Sequence, residues 1–210
     1  MYLTISQNVF TQELIIKKSR FITHLARIHN EAEAQAFIAQ IRKEHYRANH
    51  NVFAYVLGDN DEIQRMSDDG EPSGTAGVPI LEVLKKNQVH DVVAVVTRYF
   101  GGIKLGAGGL IRAYAGAPAD TLANVGLVER ILQRELHFTI GYNLIDKVQY
   151  WLSEHQPSTP TINYTDQVEL TIAVTDSEVA AVQNALTNLT QGQIKFTLGD
   201  EIFAERPYNE

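Results

Sequence analysis

DVVAVVTRYFGGIKLGAGGLIRAY, residues 91–114, is the stretch from which the fold is read. Its VVAVV run is continuously apolar, the pattern of a central strand covered on both faces, so a strand is predicted over Asp91–Thr97. Five glycines between 101 and 109 follow, and then a helix is predicted over Leu110–Asn124, with Gly126 as its stop. Pro118 falls inside that helix, where it removes one backbone hydrogen bond and is expected to kink or shorten it. A strand, a glycine loop and a helix in that order expose backbone N–H groups beside the positive end of a helix dipole.

Upstream, Leu14–Ile16 and Arg20–Ile28 read as strands, the second with a period of two. Asn30 followed by Glu33 reads as a capping box, opening a helix whose apolar face is Ala34, Phe37, Ile38 and Ile41. A strand is expected at Asn51–Leu57, a polar loop at Gly58–Gly74 and a short helix at Ala76–Lys86 that begins near Pro79. Downstream, strands at Leu136–Gly141, Thr161–Tyr164, Gln167–Val174 and Ile194–Phe203 alternate with helices at Leu144–His155, capped by Asn143, and Ser177–Leu189, ended by Gly192. That order, β-α-β-β-α-β, is the split unit of ferredoxin-like folds. The fold class is therefore α+β in two domains, 1–131 and 134–210.

Charge follows the same division. Residues 1–133 carry 14 Lys/Arg and 14 Asp/Glu; residues 134–210 carry 4 and 11, which is the whole net charge of −7. Since Lys and Arg drive polyphosphate binding, the first domain is the half able to hold RNA. The 210 residues contain no cysteine, which excludes disulfides, thiolate nucleophiles and Cys-ligated metals. No apolar run is long enough for a membrane span and MYLTISQNVF lacks a signal-peptide pattern, so a cytoplasmic protein without a membrane partner is expected.

Two loops stand out chemically. SDDGEPSGTAGVP, 67–79, places Asp68, Asp69 and Glu71 within four residues. Such carboxylates can hold a hard cation or act as acid and base, and the same composition also makes a turn. The second is the glycine loop, where Arg98, Lys104 and Arg112 accompany N–H groups able to cradle an anion. There too the glycines can serve close packing alone, with the cations paired to Asp68, Asp69 or Glu71. Two basic clusters, Lys17, Lys18 and Arg20, then Arg42, Lys43 and Arg47 beside Tyr46, can form a phosphate-binding patch or a solvated face. The seven histidines show no metal spacing, and the standard catalytic motifs are absent, so no metal and no cofactor is expected.

KKSRFI (17–22), SDDGEPSGTAGVPIL (67–81) and VTRYFGGIKLGAGGLIRAY (96–114) together closely resemble the IMPACT/YigZ family, in its bacterial two-domain form. The resemblance implies a first domain like one shared by a ribosomal protein and domain IV of elongation factor G. It implies a second domain like that factor's ferredoxin-like domain V. It marks Ser67, Asp68, Asp69, Gly70, Glu71 and Pro72, with Arg98, Tyr99, Gly101, Gly102, Leu105 and Gly106, as the family's signature surface. Eukaryotic relatives are translation regulators that act on the activator of a kinase sensing uncharged tRNA, using a further N-terminal domain not found in this sequence. Many relatives carry a cysteine where this chain has Val52, after His50 and Asn51, so a thiol mechanism does not transfer here. Pro118 replaces a small residue usual in relatives.

The expected function is a non-enzymatic, translation-associated regulator contacting RNA, the ribosome or another translation component through the first domain. The alternative is a metal-assisted hydrolase or transferase working on a small phosphorylated or carboxylated ligand at the same loops.

Overall fold

The computed structural model describes residues 1–58, 60–155 and 159–208. Contacts divide the chain into two units, Met1–Arg130 with Arg206–Glu210, and Ile131–Glu205.

The first unit is built on an antiparallel sheet of β2 (Val9–Ile16), β3 (Ser19–Arg27), β6 (Val92–Tyr99), β4 (His50–Leu57) and β5 (Ile63–Ser67), in that spatial order. β6 is central, and its alternation sorts the VVAVV run onto two faces. Val92, Ala94 and Val96 join a core with Ile80 and Leu84 of α2 (Gly77–Lys86) and Leu110, Tyr114 and Leu122 of α3 (Ala107–Val125). Val93 and Val95 face Ala34, Ile38 and Ile41 of α1 (Glu31–Glu44). Helices on both faces explain a continuous apolar strand inside an antiparallel sheet.

Local signals account for the helix ends. Asn30 accepts from the N–H of Glu33, but the Glu33 carboxylate reaches back to the N–H of His29, one residue earlier than a capping box places it. Pro79 lies in the first turn of α2, where no N–H partner is lost. α3 starts three residues earlier than the periodicity places it and runs 19 residues through Pro118. The proline does not shorten it, because its ring is buried in the packed face of the helix.

Two strands escape the sequence pattern. β1 (Tyr2–Ile5) pairs with Leu127–Arg130, the opening of β7 (Leu127–Ile140). β5 occupies residues read as a polar loop, as a polar sheet edge against Phe53–Leu57.

In the second unit, Arg134–Ile140 of β7 pairs with β9 (Val168–Val174), which pairs with β8 (Thr161–Tyr164). β10 (Lys195–Pro207) pairs with β7 on its other side, giving the order expected of a split β-α-β unit. α4 (Ile145–His155) and α5 (Asp176–Leu189) close the core through Val148, Leu152, Val182 and Leu186. Asn143 is not the cap of α4; it sits within a 3-10 turn at Tyr142–Leu144 that precedes the helix. Thr175 and Glu178 form a reciprocal capping box on α5. Among the described residues no helix is long and apolar enough to cross a membrane.

Candidate functional site

Sheet register sets up the site. Arg98 near the end of β6 lies opposite Phe21 of β3 and His50 of β4, and Phe53 of β4 lies opposite Ser67. The β2–β3 turn at Lys17 and Lys18, the start of β4, the end of β5 and the glycine loop therefore gather at one end of the sheet. Lys17 and Lys18 both have positive φ, 45° and 65°, a tight two-residue hairpin turn. Gly101 packs against that turn so closely that a Cβ there would sit 2.0 Å from the Lys18 carbonyl carbon. Its N–H donates to Ser19 Oγ at 3.1 Å.

Parity divides the signature residues. Arg98 shares the face of Val96 and points toward α3, whereas Tyr99 faces α1, its hydroxyl 2.9 Å from His45 Nδ1. Arg98 Nη1 donates to Glu71 Oε1 at 2.6 Å, and the Tyr114 hydroxyl donates to the same oxygen at 2.8 Å. Glu71 is 8% exposed and Arg98 6%, so this is a buried ion pair. Burial, followed by the charge of Glu71, pushes the Tyr114 hydroxyl far above the ordinary tyrosine range. The Arg98 guanidinium also lies 5.4 Å from the Phe21 ring centroid and 5.7 Å from that of Phe100. Its Nε is buried without a hydrogen-bond partner.

The three carboxylates of the acidic loop go to three places. Asp68 accepts from the N–H groups of Gly74, Ala76 and Gly77 at 2.8–3.1 Å, bracing the entry to α2. Burial alone would raise its pKa, but these three bonds outweigh burial and hold it below the usual carboxylate range. Asp69 accepts from Asn51 N–H at 2.6 Å and from Arg42 Nη2 at 2.8 Å, and its carbonyl meets His50 Nδ1 at 2.8 Å. Glu71 is held by Arg98 and Tyr114. Among the described residues no group of three or more His, Asp or Glu is placed to hold a metal ion. Residue spacing left open both a cation or acid-base site and a turn; in the structure each carboxylate answers to its own partners.

Where the loops meet there is a cleft of about 420 Å³. Its lining includes Glu71 and Pro72 from the acidic loop, Arg98 from β6, and Lys104, Leu105 and Gly106 from the glycine loop. Ser67, Asp68, Asp69, Gly70, Tyr99, Gly101 and Gly102 are not among the residues that line it. Sequence reading missed Asn49, His50, Phe100 and Leu110 as lining residues. The β4–β6 register identifies His50, and Asn49 is tied in by its own N–H to the Arg98 carbonyl and by the Phe100 N–H that its Oδ1 accepts; Phe100, an aromatic left 46% exposed, was visible within the quoted motif. Gly106, at φ 72°, precedes α3 without a side-chain cap, and the first turn of that helix carries no acidic residue.

The basic candidates also collect at this end. Arg20 is held bidentately by Glu13 at 2.7 and 2.8 Å, and Arg42 by Asp69. Lys17, Lys18, Lys43, Arg47, Lys104 and Arg112 form no ion pair among the described residues and are exposed. Arg47 stacks on Tyr46, its guanidinium carbon 5.2 Å from the ring centroid.

Comparison with known proteins agrees with the two-unit division of the elements. The Impact N-terminal domain matches residues 17–122, and a domain of unknown function (DUF1949) matches 138–193. The IMPACT family member YvyE of Bacillus subtilis is 49% identical over 197 residues, covering 94% of this chain and 91% of the relative. The IMPACT family member YigZ of Escherichia coli is 35% identical, covering 89% and 92%. A crystal structure of a hypothetical protein, 33% identical, superposes with a TM-score of 0.61 over 95% of this chain and 97% of that one. Domain models on both halves and near full-length identity in the relatives lead to one conclusion: the chain belongs to the IMPACT family.

Proposed function

We propose that this chain is a translation-associated binding protein that engages RNA, free or within the ribosome, through the basic end of its first unit. The family resemblance points to translation; the observation that supports RNA is the set of six exposed cations that form no ion pair among the described residues, Lys17, Lys18, Lys43, Arg47, Lys104 and Arg112, of which Lys104 lines the cleft. Exposed Tyr46 and Phe100, 71% and 46% accessible, stand among them as stacking platforms for unpaired bases. The net charge of −7 does not oppose this, because its excess acid lies in residues 134–210. Arg98 contributes structure rather than phosphate contact, since Glu71 neutralises it inside the protein.

The test is co-sedimentation with ribosomes, alongside binding of total RNA and single-stranded oligonucleotides. Binding is expected to weaken in Lys104→Ala and in the Lys17→Ala, Lys18→Ala pair, with the fold intact. Absence of binding to every RNA at low salt overturns the reading.

A further inference from the structure

β2 is the outer strand of the first unit's sheet, and among the described residues it pairs with β3 alone. Natural sheets blunt such an edge with a short strand, a lysine, a proline or a bulge. The opposite edge is blunted: β5 is five residues long and presents exposed Arg65. β2 runs eight residues in unbroken register with β3 and carries neither lysine nor proline. Its one charge, Glu13, is already taken by Arg20. Val9 and Ile15, both β-branched and apolar, are left 55% and 65% exposed.

The pairing with β3 decides which backbone groups are free. Arg27 N–H donates to the Asn8 carbonyl at 2.9 Å, so even-numbered residues turn toward β3 and odd-numbered ones turn outward. Val9, Thr11, Glu13 and Ile15 therefore hold their N–H and C=O groups out from the edge. Their side chains share the sheet face opposite the one on which Phe10, Leu14 and Ile16 pack. An antiparallel second copy must set odd residues opposite odd ones, so the twofold axis passes through a residue and not between two. At Glu13 the axis sets that carboxylate against its own copy, which like charge opposes. At Thr11 it sets Val9 against Glu13 and carries Ile15 beyond the strand, against Gln7. At Gln12 every outward residue is used: Val9 faces Ile15, Thr11 faces Glu13, and each pair exchanges two backbone bonds. On the other face Phe10 then meets Leu14. Gln12 meets its own copy, with its amide held by Asp120 and Asn124 of α3.

We infer that two copies of this chain pair through β2, antiparallel about Gln12, into one continuous sheet. Outward from Gln12 in either direction the strand reads polar, large apolar, β-branched apolar: Thr11, Phe10, Val9 one way and Glu13, Leu14, Ile15 the other. Self-pairing demands that symmetry, and a foreign partner does not. Lys17 and Lys18 lie beyond the paired span, so the inference stands or falls apart from the RNA reading.

Sedimentation equilibrium of the purified chain up to about 100 µM tests it, together with oxidative cross-linking of cysteine variants. The wild-type mass is expected to rise from 23.5 kDa toward twice that value with concentration. Ile15→Lys, at an exposed position, is expected to abolish the rise, and its melting curve checks the fold. The chain has no cysteine, so each cysteine variant carries a single thiol. At Gln12 the two copies form a non-hydrogen-bonded pair with Cα atoms about 4.5 Å apart, within disulfide reach. Gln12→Cys is therefore expected to cross-link under mild oxidation. In Val9→Cys the two thiols are separated by about 20 Å along the seam, so cross-linking is expected to fail. A wild type that stays monomeric overturns the inference, and an edge reserved for a foreign strand gives that same result. A dimer that Ile15→Lys leaves intact, or one in which Val9→Cys cross-links as readily as Gln12→Cys, puts the interface elsewhere and overturns it as well.

Discussion

Replacing Glu71 by Gln should unfold the first unit more readily than any surface change. Glu71 Oε1 takes bonds from Arg98 Nη1 at 2.6 Å and the Tyr114 hydroxyl at 2.8 Å, and both charged partners are more than nine-tenths buried. Gln keeps shape and can still accept from one donor, but it leaves the Arg98 charge enclosed between Phe21 and Phe100 without a counter-ion. Breaking a buried pair from one side costs about 3–5 kcal/mol. With a urea m-value of about 2 kcal/mol/M, the unfolding midpoint should fall by about 1.5–2.5 M. Replacing both partners, Glu71→Leu with Arg98→Met, should cost less than Glu71→Gln alone, because no charge is then stranded. Urea unfolding followed by circular dichroism reads both. A loss below about 1 kcal/mol in Glu71→Gln would refute the reasoning, since that is the size of a solvated surface pair.

Four further outcomes follow from other parts of the same end and from the sheet beneath it. Gly101→Ala must push the Lys17–Lys18 turn away, because its Cβ would meet Lys18 backbone at 2.0 Å, and should cost more than about 2 kcal/mol in thermal denaturation. Gly102→Ala, at φ 82° in open space, carries only the left-handed backbone penalty of about 1–2 kcal/mol. His24 has its pKa lowered to about 4 by burial and then by neighbouring His45. At pH 5 the unfolded chain therefore binds a proton that the folded one refuses, so stability is full above about 6.5 and declines as pH falls toward 4. The decline attributable to His24 is of the order of 3 kcal/mol, and pH-dependent urea titrations should show His24→Gln flattening that window. Asp68 behaves oppositely in origin but alike in direction: its lowered folded pKa gives stability that is present above the unfolded value and lost on further acidification. Asp68→Asn should accordingly remove part of the acid sensitivity below the ordinary carboxylate pKa, read by acid unfolding monitored through tryptophan-independent circular dichroism.

How much of this was written in the chain differs from residue to residue. The VVAVV strand and the helices on either side of the sheet follow from periodicity alone, because burial on two faces leaves no polar alternative at Val92–Val96. β1 did not follow, since Tyr2 pairs with Arg130, 128 residues later, and nothing local in YLTI records that partner. β5 was hidden by Gln64 and Arg65, polar residues that suit an edge strand as well as a loop. The two signature loops were visible from composition, but their meeting depends on Arg98 lying opposite His50 and on Glu71 reaching Tyr114, which are tertiary facts. The acidic loop misleads when read alone: Asp68, Asp69 and Glu71 are adjacent along the chain yet answer to Gly74–Gly77, Arg42 and Arg98 respectively. The basic clusters at 17–20 and 42–47 lie 22 residues or more apart in sequence, and the β2–β3 turn and the end of α1 carry them to the same end of the sheet.

The central claim is that six unpaired cations at this end hold a polyphosphate strand, and its salt dependence tests that most directly. For single strands the slope of log K against log salt is about −0.7 per phosphate neutralised, which for six cations gives about −4. Raising salt from about 50 to 200 mM should then weaken binding by about 300-fold in the wild type. In the Lys17→Ala/Lys18→Ala/Lys104→Ala variant three cations remain, the slope should fall to about −2, and the same change of salt should weaken binding only about 20-fold. A slope that is shallow in the wild type, or one that these three substitutions leave unchanged, contradicts the account.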